Sequence, residues 1–139
     1  MKLIKKNKIG VILLGTSLVT IISLLVGLYY QHANDYPDTV NLAQEMRTVN
    51  HGTKILVFHK TGCSDCQNIK KLVTKTIRQH PERHYIVMNY ADPKTHNYFK
   101  QYNVTNVPTI MVSKKGKIVG SYSGLDRRNI IKLLSVESR

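Results

Sequence analysis

The chain has 139 residues, two cysteines, two phenylalanines and no tryptophan, and a formal charge of +13. That length holds one domain of roughly 100 residues beside a membrane segment, with a largely aliphatic core. Two cysteines so close together exclude a disulfide framework and leave a redox pair, half a metal site or a structural bridge; acid-pair hydrolase chemistry, phosphate loops and nucleophile elbows have no candidate residues.

Residues 1–8 form a basic N-terminus with Lys2, Lys5, Lys6 and Lys8, and residues 9–30 carry no charge across 22 positions. About 20 apolar residues span a bilayer, so 9–30 reads as a transmembrane anchor. Tyr29 and Tyr30 fit an aromatic belt at its far interface. A cleaved signal peptide is the alternative, but its apolar region is shorter, roughly 7 to 15 residues. The best small-x-small site ends at Ala33 and has Gln31 where a small residue is wanted. No Lys or Arg follows the span until Arg47, so the positive-inside rule puts the N-terminus in the cytoplasm and everything after Tyr30 outside. The expected location is the cell membrane, single-pass, with an extracytoplasmic C-terminal domain. Beyond residue 30 seventeen cations stand against eight acids, +9, a balance suited to anionic lipid, wall polyanions or acidic partners, and equally to nucleic acid.

Residues 31–37 read as a linker closed by Pro37, and 38–139 as the domain. Asp38 or Thr39 can cap a helix with Val40, Ala43 and Met46 on one face, stopped near Gly52. Residues 54–59 (KILVFH) suit a strand buried on both faces. Cys66, Ile69, Leu72, Val73 and Ile77 then recur at helical spacing, with Lys70, Lys71, Lys75 and Arg78 opposite, until Pro81. Residues 84–90 form the next strand, and Asp92-Pro93 opens a helix with Tyr98, Phe99 and Tyr102. Residues 109–113 and 117–122 flank Lys114-Lys115-Gly116 as a hairpin, and a last helix from about Asp126 buries Ile130, Leu133 and Leu134. The predicted order is α-β-α-β-α-β-β-α. A helical crossover makes the first two strands parallel, and the hairpin adds an antiparallel edge.

A strand, then Cys63-Ser64-Asp65-Cys66 opening a helix, then Val107-Pro108-Thr109 before a hairpin, with Pro108 45 residues after Cys63, resembles thioredoxin over roughly residues 38 to 136. Asn89, Asp92-Pro93, the Lys-x-Gly turn and Gly124 extend the likeness. The resemblance implies an α/β thioredoxin fold, a mixed four-stranded sheet flanked by helices. It also implies a thiol–disulfide oxidoreductase whose catalytic residues are Cys63 and Cys66. Cys63, at a helix N-terminus that favours its thiolate, would attack, and the covered Cys66 would resolve the mixed disulfide. Pro108 resembles the family's cis-proline, which lets the Val107 backbone pair with an extended substrate. No cofactor is expected beyond a redox-active Cys63–Cys66 disulfide, and no metal.

Three departures stand out. Val57 replaces a buried acid that helps take the proton from the resolving thiol, and Gly62 replaces the tryptophan before the first cysteine. Asp65 puts a negative charge inside the motif. Asp65 should raise the Cys63 pKa while Lys60 and His59 lower it; His59 also reads as a polar cap to its strand. Cys63-x2-Cys66-x13-His80-x3-His84 nearly spells a zinc finger, but Pro81 interrupts the helix both histidines would need. The expected partners are secreted or surface proteins and peptides with cysteines, and a membrane or small-molecule redox partner, with no nucleic acid, in a monomer. Oxidation or isomerisation of secreted clients is the favoured direction; a membrane-tethered reductase and a non-catalytic binding module are the alternatives.

Overall fold

The computed structural model describes residues 15–29 and 35–137. The chain divides into two compact units, Met1–Asp35 and Tyr36–Arg139. In the first, residues 15–29 are helical (α1), and Leu18, Ile22, Leu25 and Leu28 are each more than half exposed. Among the described residues no helix is long and apolar enough to cross a membrane. The basic segment 1–8, residues 9–14 and 30 of the expected anchor, and residues 31–34 of the expected linker lie outside the described residues.

The second unit runs α2 (Leu42–Arg47), β1 (Thr53–His59), α3 (Ser64–Gln79), β2 (Tyr85–Asn89), a 3-10 turn (Pro93–Thr95), α4 (His96–Gln101), β3 (Thr109–Lys114), β4 (Lys117–Ser123) and α5 (Arg127–Leu134). The sheet order is β2-β1-β3-β4. β1 is parallel to β2, with Val57 beside Val87, and antiparallel to β3, with Val57 beside Ile110. Every residue of β1 is buried, as an unbroken apolar run in a central strand requires. Alternation along β1 then builds two cores. Ile55 and Val57 meet Ile69 and Val73 of α3 and Ile130 and Leu134 of α5. Leu56 and Phe58 meet Leu42 and Met46 of α2 and Phe99 of α4. The β3–β4 hairpin turns on Lys115 (φ 49°) and Gly116 (φ 78°), the paired positive dihedrals of a type I′ turn.

Two details differ from the sequence reading. Tyr36, expected in the linker, is buried in the core of the second unit. And α2 starts at Leu42 and buries Leu42 and Met46, whereas Val40 is 94% exposed. Asp38 and Thr39 do not cap it, because they are engaged elsewhere. Thr39 N–H donates to Val87 O at 3.0 Å and Thr39 Oγ1 accepts from Val87 N at 2.9 Å, which holds the entering chain against β2. The helix begins three residues later and its inward face turns accordingly.

Candidate active site

β1 delivers the chain to the turn Lys60-Thr61-Gly62, and Gly62 takes φ +80°. A side chain is strained in that region, so glycine is favoured here for its backbone, beyond presenting a smaller surface than tryptophan. Asn89 at the end of β2 fixes the turn, accepting from Thr61 N–H at 3.2 Å and donating to Thr61 Oγ1 at 2.9 Å. Cys63 follows as the N-cap of α3, extended at φ −80° and ψ 120°. Its Sγ accepts the Cys66 N–H at 3.1 Å, one of the orphan donors of a helix start. Cys63 is half-buried and Cys66 buried, both as thiols. Cys66 is pushed up to about 12, first by burial and then by its hydrogen bond with Cys63; the charges of Cys63 and Asp65 add less, and the Lys60 backbone opposes. One thiol reaches the surface on a helix N-terminus and the other keeps its proton inside.

Val107 approaches from the loop before β3, its carbonyl oxygen 3.8 Å from Cys63 Sγ. The Val107–Pro108 bond is cis, and Pro108 O accepts from Gly124 N–H at 3.2 Å and Ser123 Oγ at 3.3 Å. The structure thus joins Cys63, Cys66 and the Val107–Pro108 step. The three expected modulators have different surroundings. Asp65 is exposed on the first turn of α3. Lys60 Nζ lies over the Tyr90 ring, 5.7 Å from its centroid. His59 is buried, and its Nε2 lies 2.5 Å from Asp38 Oδ1.

Sequence reasoning missed the support behind the pair. Tyr36 stacks on His59 with centroids 4.0 Å apart and an interplanar angle of 18°. Its hydroxyl donates to the Cys66 carbonyl at 2.8 Å. Asp38 Oδ2 also accepts from Asn89 Nδ2 at 3.2 Å. Nothing local in Tyr36-Pro37-Asp38 signals these contacts; an acid and a histidine at a strand end were the available hints.

The zinc-finger alternative fails on geometry. Cys66 sits in the first turn of α3 and His80 is its C-cap, about 20 Å away at the helical rise. Among the described residues no group of three or more His, Cys, Asp or Glu could hold a metal ion. A half-buried thiol on a helix N-terminus, with a buried thiol one turn on, has the arrangement that thiol–disulfide exchange requires.

Residues 40–135 match the family model of the thioredoxin-like domain. The chain is 24% identical over 85 residues to thioredoxin-3, mitochondrial, of Saccharomyces cerevisiae, covering 60% of this chain and 65% of that protein, just under two thirds of its length. The crystal structure of the oxidised form of that yeast mitochondrial thioredoxin 3 aligns with a TM-score of 0.57 at 21% identity, covering 68% of this chain and 89% of the other. Oxidised thioredoxin O2 from Arabidopsis thaliana aligns with a TM-score of 0.61 at 14% identity, over 77% of this chain and 97% of the other. At such identities the structural likeness is one of fold. The family match, spanning nearly the whole second unit, decides the rest: the chain belongs to the thioredoxin-like family.

Proposed function

We propose that this chain is a thiol–disulfide oxidoreductase, anchored in the membrane, that acts outside the cytoplasm on cysteines of secreted or surface proteins and peptides. We further propose that it works toward oxidation or isomerisation, as a monomer recharged by a membrane or small-molecule redox partner. The exchange reading is carried by one observation: Cys63 Sγ caps α3 and accepts the Cys66 N–H at 3.1 Å. A donor aimed at Cys63 Sγ favours the reduced pair, and a more stable reduced form makes a stronger oxidant. The anchor supports the same direction. Disulfides persist outside the cytoplasm, and a reductase there needs electrons brought through the membrane, which residues 9–30, with no cysteine among them, cannot carry.

The deciding measurement is the equilibrium potential of the Cys63–Cys66 couple against glutathione. A potential well above that of thioredoxin, about −270 mV, is expected. A value at or below it would reject the oxidising direction and make the chain a membrane-tethered reductase. Failure to exchange with any dithiol would leave a binding module.

A further inference from the structure

Cys66 resolves a mixed disulfide only as a thiolate, yet it lies in the core with 1% exposure. A base has to take its proton, and Val57, also 1% exposed, is an apolar side chain on the face of β1 that meets it. Strand alternation puts His59 on that same face, two residues nearer the redox pair. His59 is 4% exposed; the other buried basic side chain among the described residues, Lys54, belongs to the far end of β1.

The surroundings of His59 suit a proton acceptor. The entering chain sets Asp38 Oδ1 2.5 Å from its Nε2 and lays the Tyr36 ring on its face. Tyr36 in turn touches the first turn of α3 through the Cys66 carbonyl. β2 presents the neutral Asn89 beside His59, β3 sets Thr109 against Phe58 on the other face, and Lys60 is drawn to Tyr90. Among the described residues, Asp38 is the charged group in contact with the imidazole. Its side chain is 45% exposed, so a proton held by the pair has a way out to water.

We propose that the His59–Asp38 pair accepts the proton of Cys66 as the mixed disulfide is resolved. The proposal rests on the exchange reading above. The proton of Cys66 Sγ passes to the His59 imidazole, and the Asp38 carboxylate balances the charge so gained. The Cys66 thiolate attacks Cys63 Sγ, the Cys63–Cys66 bond forms, the Cys63–client bond breaks, and the client leaves as a thiolate that takes up a proton. Two electrons pass from the cysteine pair to the client disulfide. In the oxidising direction the same path runs backward, and His59 returns the proton to Cys66 as it leaves.

Stopped-flow reaction of the reduced full chain with an aromatic disulfide, dithiobis(nitrobenzoate), separates the two steps. The first nitrothiobenzoate released reports attack by Cys63, and the second reports resolution by Cys66. His59→Phe keeps a ring against Tyr36 without a titrating group, and Asp38→Asn keeps the shape of the half-exposed partner. Each should slow the second phase about tenfold or more, a modest share of what general-base assistance provides, with the first phase changed less than about twofold. In His59→Phe the pH profile of the second phase should also differ from that of the parent, while that of the first phase should not. Asp38→Asn carries the test should His59→Phe fail to fold. An unchanged second phase in the folded variants, or equal slowing of both phases, would overturn the proposal. Absence of both phases in the unmodified protein would remove the exchange reading, and the proposal with it.

Discussion

The two cysteines are three residues apart and chemically unlike, because one helical turn carries the chain from surface to core. That difference makes the stability of the reduced protein depend on alkaline pH. Burial raises Cys66 from 9.0 to about 12, so between those values the unfolded chain has lost a proton that the folded chain still binds. Stability falls with pH wherever the unfolded state binds fewer protons. The contribution of Cys66 is therefore complete below about pH 9 and is lost as pH rises toward 12. Urea midpoints of the reduced protein and of Cys66→Ala, compared at about pH 8 and about pH 10.5, isolate this group from the tyrosines and lysines that titrate nearby. The parent should lose more stability than the variant, and parallel losses would contradict the burial of this thiol. At this scale the sequence exposed Cys63, Cys66, Val107 and Pro108 through motif and spacing. It hid Tyr36, Asp38 and the setting of His59. The Asp38–His59 and Tyr36–Cys66 contacts join positions 21 and 30 residues apart, and no periodicity encodes such a pair.

Elements were legible where their signal was local. The run of β1, the apolar stripe of α3 and the Lys-x-Gly turn each report their own structure, and the predicted order of the second unit is the observed one. The face of α2 was not legible, since Thr39 is claimed by Val87, 48 residues away, and a cap residue used by a tertiary contact no longer starts its helix. α5 shows the opposite case, a short helix whose local cap is kept. Asp126 accepts from Arg128 N–H at 2.8 Å, and at the other end Leu134 O accepts from Arg83 Nη1 at 3.2 Å and Tyr85 Oη at 3.1 Å. Eight residues are too few to persist alone, so α5 depends on these ends and on the fully buried Ile130 and Leu134. Asp126→Ala should cost about 1 kcal/mol by urea unfolding, while Asp126→Asn, which keeps a capping oxygen, should cost much less. Equal losses in both would mean that the carboxylate charge, and not the cap, supports the helix.

For the whole molecule, the strongest asymmetry is between the ends of the apolar segment. Four lysines precede residues 9–30, and the next cation is Arg47. The described part of that segment, α1, turns leucines, isoleucines and valines outward on all sides, a surface that water does not favour and that lipid or protein would cover. The second unit, by itself, closes two cores around its own sheet. Charge bias, more than hydropathy, sets which way such a segment inserts, because moving lysines across the bilayer is costly and the cytoplasmic side retains them. A phosphatase that matures only outside the cytoplasm, fused after Arg139, should therefore be active, and the fusion should remain with membranes through an alkaline carbonate wash. Reversing Lys2, Lys5, Lys6 and Lys8 to glutamate removes the bias without touching the redox unit, and should strongly reduce the external phosphatase activity while Cys63–Cys66 exchange in detergent extracts persists. Activity inside with the native lysines, or release of the fusion by carbonate, would place the pair in another compartment and remove the case for secreted clients.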